Sequence, residues 1–304
     1  TGNVSGVVAG SSYIGGLAGY LDGGIYNLLN ISDVYATGNV SAGVSGSYVI
    51  DNYIGGLVGY SAANINNAYA TGDINLRSKS GYYIGGLAGY NGSILKNVHA
   101  TGNINLSYIG QYVGGLVGSN NNFHGYGLIS NAYATGNINA GIGSSGGATY
   151  VGGLVGQNTA YIENSYATGN LATDPDGGFG WAGGLVGRNG DGSKQGFISN
   201  VYATGNVDGG AISMYQGGLV GQNISIPLPS YISNAYSTGH VSALGDYSGG
   251  SVGGNNGVLQ SVYWNTETSG QSSAGLNSAT GPNATALTSA QMMQAGSFGG
   301  FNGT

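Results

Sequence analysis

Tyrosine recurs at one position of a repeating pattern, at Tyr35, Tyr69, Tyr133, Tyr166, Tyr202, Tyr236 and Tyr263, with His99 filling the gap. Small apolar residues flank it, as in Ala68-Tyr69-Ala70 and Val201-Tyr202-Ala203. In a strand, alternation sends the small residues inward and the rings outward. One face then carries an aromatic stripe with a ring every ~4.8 Å. Such a stripe suits a sugar chain or a protein surface, and Tyr69, Tyr133, Tyr166, Tyr202 and Tyr236 are the candidate binding residues. The competing expectation is that these rings only stack on one another and stiffen the molecule. Tyr13, Tyr53, Tyr83, Tyr112 and Tyr150 each precede a Gly-Gly pair and predict a second stripe.

Residues for catalysis are sparse. Charged residues make up 5% of the chain, against roughly 25% in an ordinary domain. The histidines, His99, His124 and His240, do not lie at metal-ligand spacing. The glutamates are Glu163 and Glu267, and the aspartates are scattered, so the paired carboxylates of a glycosidase are not evident. A lyase needs a cation against its substrate's carboxylate, and Arg188 is the one basic residue near acidic partners. No phosphate-binding Gly-x₄-Gly-Lys-Ser/Thr loop occurs. We expect no enzyme and no organic cofactor. Asp174 and Asp176, in Asp-Pro-Asp-Gly-Gly, and Asp191, in Asn-Gly-Asp-Gly-Ser, gather oxygens in glycine turns. They form a candidate Ca²⁺ site, read otherwise as two ordinary surface turns. Five basic residues and a net charge of −6 exclude nucleic acid as a partner.

What positions these residues is an internal repeat. Thr-Gly recurs at Thr1, Thr37, Thr71, Thr101, Thr135, Thr168, Thr204 and Thr238, at intervals of 30 to 36 residues. Each unit holds three short segments: Thr-Gly-Asn-Val/Ile, Ile/Val-Gly-Gly-Leu-Val/Ala-Gly, and Ile-x-Asn-x-Tyr-Ala. Length varies between them, as at 41–52, 120–128 and 223–231, which marks loops leaving a stacked scaffold. The segments are too short, and too rich in glycine and β-branched residues, for helices. Stacking them predicts an all-β parallel β-helix, right-handed by the crossover rule, with three strands per coil and eight coils. Such a rod is roughly 38 Å long.

Interior ladders are expected at Val40, Ile74, Ile104, Ile138 and Val207, at Ala18, Val58, Ala88, Val117, Val155, Val186, Val220 and Val252, and at Ile65, Ile129, Ile162, Ile198 and Ile232. Asn67, Asn97, Asn131, Asn164, Asn200 and Asn234 predict a stacked asparagine rank, with Asp33 and Ser261 at its ends. The period stops after Trp264, which stands where alanine is expected. Residues 1–264 are therefore read as the solenoid and 265–304 as a polar C-terminal cap, with 286–294 its only helix-like stretch. The chain opens on Thr1 without a signal-like stretch, and no cap precedes the first coil. The expectation is a processed chain or a piece of a longer one. No apolar run of about 18 residues exists to form a membrane helix. Without cysteine there is no disulfide framework.

The Gly-Gly segment, in forms such as Gly55-Gly56-Leu57-Val58-Gly59 and Gly183-Gly184-Leu185-Val186-Gly187, resembles the GLUG motif. That repeat occurs in large exported bacterial proteins, including filamentous-haemagglutinin-like adhesins and IgA-specific metallopeptidases. The resemblance runs from Thr1 to about Trp264, and residues 263–268 and 287–294 resemble the segment that commonly ends such arrays. It implies a secreted or cell-surface solenoid and no catalytic residues. The metallopeptidases' His-Glu-x-x-His is absent.

The function expected from all this is a non-catalytic, adhesin-like extracellular rod. It would bind a host or neighbouring-cell glycan or protein through its aromatic face and corner loops. The alternative is a filament subunit that stacks end to end with copies of itself. Below these stand an ice-binding solenoid, suggested by the Thr and Asn ranks, and a polysaccharide-degrading β-helix enzyme.

Overall fold

The computed structural model describes residues 2–299 except 9–10, 25–28, 45–51, 78–82, 108–110, 123–124, 126, 141–148, 174–179, 211–213, 226–227, 243–246 and 280–282. One coil illustrates the plan: strands Val40–Val44, Asn52–Gly55, Val58–Ser61 and Asn64–Ala70. Each pairs in parallel with its equivalents in the neighbouring coils, as in Tyr69 with Tyr35 and His99. The molecule is an all-β parallel solenoid. Two details differ from the sequence expectation. Each coil has four strands rather than three, and among the described residues the four sheets hold seven, eight, nine and nine strands rather than a uniform eight.

The extra strand comes from the Gly-Gly segment, which is two strands with a corner between them. Leu57 and Val58 are consecutive and both fully buried, which an uninterrupted strand does not allow, because alternate side chains point to opposite faces. The corner needs glycine for room. A Cβ on Gly56 would lie 2.2 Å from the Gly86 carbonyl oxygen and 2.9 Å from the Ala70 Cβ. Glycine here and alanine opposite let two sheets approach more closely than any larger pair permits.

The interior divides into two columns. One is built from Leu57, Val58, Ile65, Ala68, Ala70 and their equivalents, the other from Val40, Ile54, Ile74, Ile84 and theirs. Every ladder named above is buried in one of these columns, apart from the partly exposed first-coil positions. The leucine rank Leu57, Leu87, Leu116, Leu154, Leu185 and Leu219 joins them.

In the fourth sheet, the long strand bends at one residue. Asp33, Asn67, Asn97, Asn131, Asn164, Asn200, Asn234 and Ser261 all have φ between 49° and 57°. This left-handed conformation is costly for most side chains and tolerable for Asn and Asp. It lets Asn66 and Asn67 both face outward before Ala68 turns back to the core.

The tail continues the stack for part of a turn. Leu276–Asn277 pairs with Gly254 and Asn255, and Thr285–Leu287 pairs with Tyr263–Asn265. The helix expected over 286–294 is only Ser289–Met292, closed by a capping box between Thr288 and Gln291, and Ala286 and Leu287 are strand. Trp264 takes the alanine position of the last coil and packs flat against Gly250.

Candidate functional site: ladders along the rod

The structure brings the predicted tyrosines into one column. From Tyr35 through Tyr69, His99, Tyr133, Tyr166 and Tyr202 to Tyr236, successive ring centroids lie 4.6–5.2 Å apart with planes within 9° of parallel. Each ring face is therefore occupied by the next ring, and the edges and hydroxyls point outward. Tyr35 is 53% exposed, the central rings are partly buried, and Tyr263 is 4% exposed. Burial, then the neighbouring phenols, push the Tyr166 and Tyr202 hydroxyls above the ordinary phenol value. They remain neutral donors and acceptors at physiological pH. At the last coil the stack stops. Phe298 meets Tyr236 and Tyr263 edge-to-face, and the Tyr263 and Ser261 hydroxyls donate to the Gly299 carbonyl.

His99 is the one basic ring in this column, and burial holds it below the ordinary histidine value. The unfolded chain then binds the proton more readily, so the contribution of His99 is whole above about pH 6.5 and lost as pH falls below it. Comparing urea midpoints of the wild type and His99→Tyr from about pH 8 to about pH 5 checks this. The variant gains on the wild type as pH falls, whereas a difference that stays constant with pH refutes the account.

The second stripe is a double row. Tyr13, Tyr53, Tyr83, Tyr112 and Tyr150 stack at 4.6–5.4 Å, and Tyr20, Tyr60 and Tyr90 stack beside them at 4.6–4.9 Å. The rows meet edge-to-face, as between Tyr53 and Tyr60 at 5.4 Å and 85°. The second row then gives way to Ser119, Gln157 and Arg188 in register.

Among the described residues, Arg188 is not beside a pair of carboxylates. Its guanidinium lies 5.2 Å from the Tyr150 ring centroid and donates to the Tyr150 hydroxyl at 2.9 Å. Of the candidate Ca²⁺ ligands, Asp174 and Asp176 lie outside the described residues, as does His124. The Asp191 carboxylate accepts from the Ser193 and Lys194 amides and the Ser193 hydroxyl, closing its own turn. Burial opposes its ionisation, but these bonds outweigh burial and hold it below the usual carboxylate range. Among the described residues, no group of three His, Asp or Glu stands ready for a metal.

Asparagines form the other ladders. The predicted outer rank bonds along the axis, Asn131 to Asn97 at 3.2 Å and Asn200 to Asn164 at 3.1 Å. In Thr-Gly-Asn, each side-chain oxygen accepts from the backbone amide one coil on, as Asn103 does from Asn137 at 2.9 Å. That rank is spent on the corner rather than offered as a flat water-ordering face. A further ladder, unforeseen, is buried: Asn91, Asn120, Asn158, Asn189, Asn223, Asn255 and Asn277 donate each to the next at 2.8–2.9 Å. Its signal is an Asn two residues after the closing glycine of the Gly-Gly segment from the third coil on, as in Gly156-Gln157-Asn158 and Gly187-Arg188-Asn189, where the first two coils have Leu21 and Ser61.

Comparison with known proteins agrees with the repeat. A model of the GLUG motif matches residues 51–75, 80–105, 109–139 and 147–172. Halomucin of Haloquadratum walsbyi (strain DSM 16790 / HBSQ001) is 34% identical over 202 residues, which is 66% of this chain and 2% of that protein. The chain thus spans a small fraction of the relative it matches. The four consecutive matches fall on four consecutive coils, so residues 51–172 carry repeats of the GLUG motif.

Proposed function

We propose that the chain is a non-catalytic rod at the cell surface or outside the cell, and that it binds a glycan or protein partner along the Tyr69–Tyr236 stripe. The observation that carries this reading is how the repeated polar side chains are spent. Asparagine after asparagine is bonded to its own equivalent one coil away, which builds a stiff scaffold and leaves a row of phenol edges facing outward. The GLUG array and the likeness to Halomucin support the extracellular placement. No helix among the described residues is long and apolar enough to cross a membrane.

Because ring faces are already stacked, the stripe meets its partner by hydrogen bonds from hydroxyls and by ring edges, not by stacking on sugar faces. The test is a glycan-array and whole-cell binding assay on the purified rod and on a Tyr133→Ala, Tyr166→Ala, Tyr202→Ala variant. Binding falls by about tenfold or more in a variant whose circular dichroism is unchanged. Equal binding by both proteins removes the stripe from the proposal. The filament reading is the weaker one. The folded tail lies across the final coil, where a stacking copy needs free strand edges.

A further inference from the structure

A groove of about 1030 Å³ runs along the outer face of the first sheet, away from the Tyr69–Tyr236 stripe. It crosses six successive strands, from Ser5 to Ala172, so it is about 24 Å long at the usual strand spacing. Its volume is at the upper end of what small-molecule sites offer, and its shape is that of a trough for an extended chain. Three observations say what kind of chain.

First, the trough has a polar wall with a repeat. Asn139 donates to Asn105, and Asn105 to Asn75, each at 2.9 Å. An asparagine amide has two N–H groups and two acceptor lone pairs, and the ladder takes one of each. The remainder can serve a ligand once every coil. Second, the groove reaches the edges of Leu76, Leu106, Ala42 and Ala140, which are 5–6% exposed and otherwise packed into the interior column. A pyranose presents this same pairing of hydroxyls on its rim and C–H groups on its faces. An extended 1,4-linked glycan also advances per residue by nearly the strand spacing, so successive sugars would meet successive amides in register. Third, Arg77 is exposed at the trough and has no acidic partner among the described residues. Beyond Ala172 the same outward position becomes Asp208, bonded by Ser242 at 2.8 Å. Arg77 thus sits at the third of the six strands the groove crosses, and the acidic group lies beyond its far end.

We propose that this groove binds an extended acidic glycan of about five residues, laid along the rod with a uronate carboxylate on Arg77 and its hydroxyls on Asn75, Asn105 and Asn139. The site is separate from the tyrosine stripe and stands or falls independently of it.

The test is calorimetric titration of the full chain with a β-1,4-mannuronate hexasaccharide and with cellohexaose. The wild type binds the uronate more tightly, and Arg77→Gln weakens the uronate by about tenfold while leaving cellohexaose unchanged. Asn105→Trp, which fills the trough, weakens both by about tenfold or more. Should that variant misfold by circular dichroism, Asn139→Trp at an exposed position replaces it. In the Tyr133→Ala, Tyr166→Ala, Tyr202→Ala variant the preference for the uronate over cellohexaose, and its dependence on Arg77, persist. The proposal is overturned if neither sugar binds, if the uronate is no tighter than cellohexaose, or if filling the trough changes nothing. Loss of binding in the tyrosine variant alone also overturns it, and moves the glycan to the stripe.

Discussion

Replacing Gly153 with alanine lowers stability by about 4 kcal/mol, or prevents the chain from folding altogether. A Cβ at that position would stand 2.1 Å from the Gly184 carbonyl oxygen and 3.0 Å from the Ala167 Cβ. Neither obstacle is the end of a flexible side chain. One is backbone hydrogen-bonded into the next coil and the other is a core methyl, so relief requires separating coils. Gly2→Ala serves as the control, because nothing lies within 4 Å of its added methyl, and it shifts stability by less than about 0.5 kcal/mol. Urea unfolding of both variants checks this. A Gly153→Ala protein as stable as the Gly2→Ala protein would mean that the coils have slack the geometry does not show.

Asn158→Ala is expected to be nearly as damaging, at about 3 kcal/mol. Asn158 is fully buried and engages both ends of its amide. Its nitrogen donates to Asn189 at 2.8 Å and to the Ala160 carbonyl at 3.1 Å, and its oxygen accepts from Asn120 at 2.9 Å and from the Ala160 amide at 3.3 Å. Truncation leaves the Asn120 donor and the Asn189 acceptor short of a partner inside the rod, and each such orphan costs about 1–3 kcal/mol. The same change at Asn139, an exposed ladder residue, costs under about 0.5 kcal/mol. Hydrogen exchange locates the damage. Faster exchange confined to the coils around residues 120–190 supports the ladder, and uniform exchange along the chain contradicts it.

How much of this was legible in the sequence follows from what a repeat can and cannot encode. The Thr-Gly spacing and the Ile-x-Asn-x-Tyr-Ala segment were enough to stack the coils and to align Tyr69 with His99 and Tyr133, because equivalent residues in a solenoid must lie in register. The fourth strand was missed because Ile-Gly-Gly-Leu-Val reads as one apolar run. Only the adjacency of Leu57 and Val58, both inward, betrays the corner. The buried ladder at Asn158 was missed for a different reason. Asparagine after a strand ordinarily signals a turn, and nothing local distinguishes one that closes a turn from one that also reaches the next coil. The tail misled through composition. Residues 286–294 favour helix, yet Ala286 and Leu287 take strand geometry because Trp264 and Asn265 offer an open edge.

The stripe was legible as a column but not in its orientation toward a partner. Alternation puts Tyr outside, while the parallel stacking that hides the faces depends on ring rotation. The spacing of the strands sets that rotation: at about 4.8 Å, neighbouring rings have room to lie parallel and little room to do otherwise.

The asparagine ladders carry a consequence for how the rod responds to force. Their bonds, like those of the sheets, run from coil to coil along the axis, so tension applied at the two ends loads the terminal coil first instead of the whole stack at once. Each coil peeled away releases 30 to 36 residues, which extend to roughly 110 Å of chain where the folded coil contributed about 5 Å. A tether built this way lengthens in steps under load and rewinds from the surviving coils as a template. It behaves as a shock absorber whose stroke is set by the number of repeats.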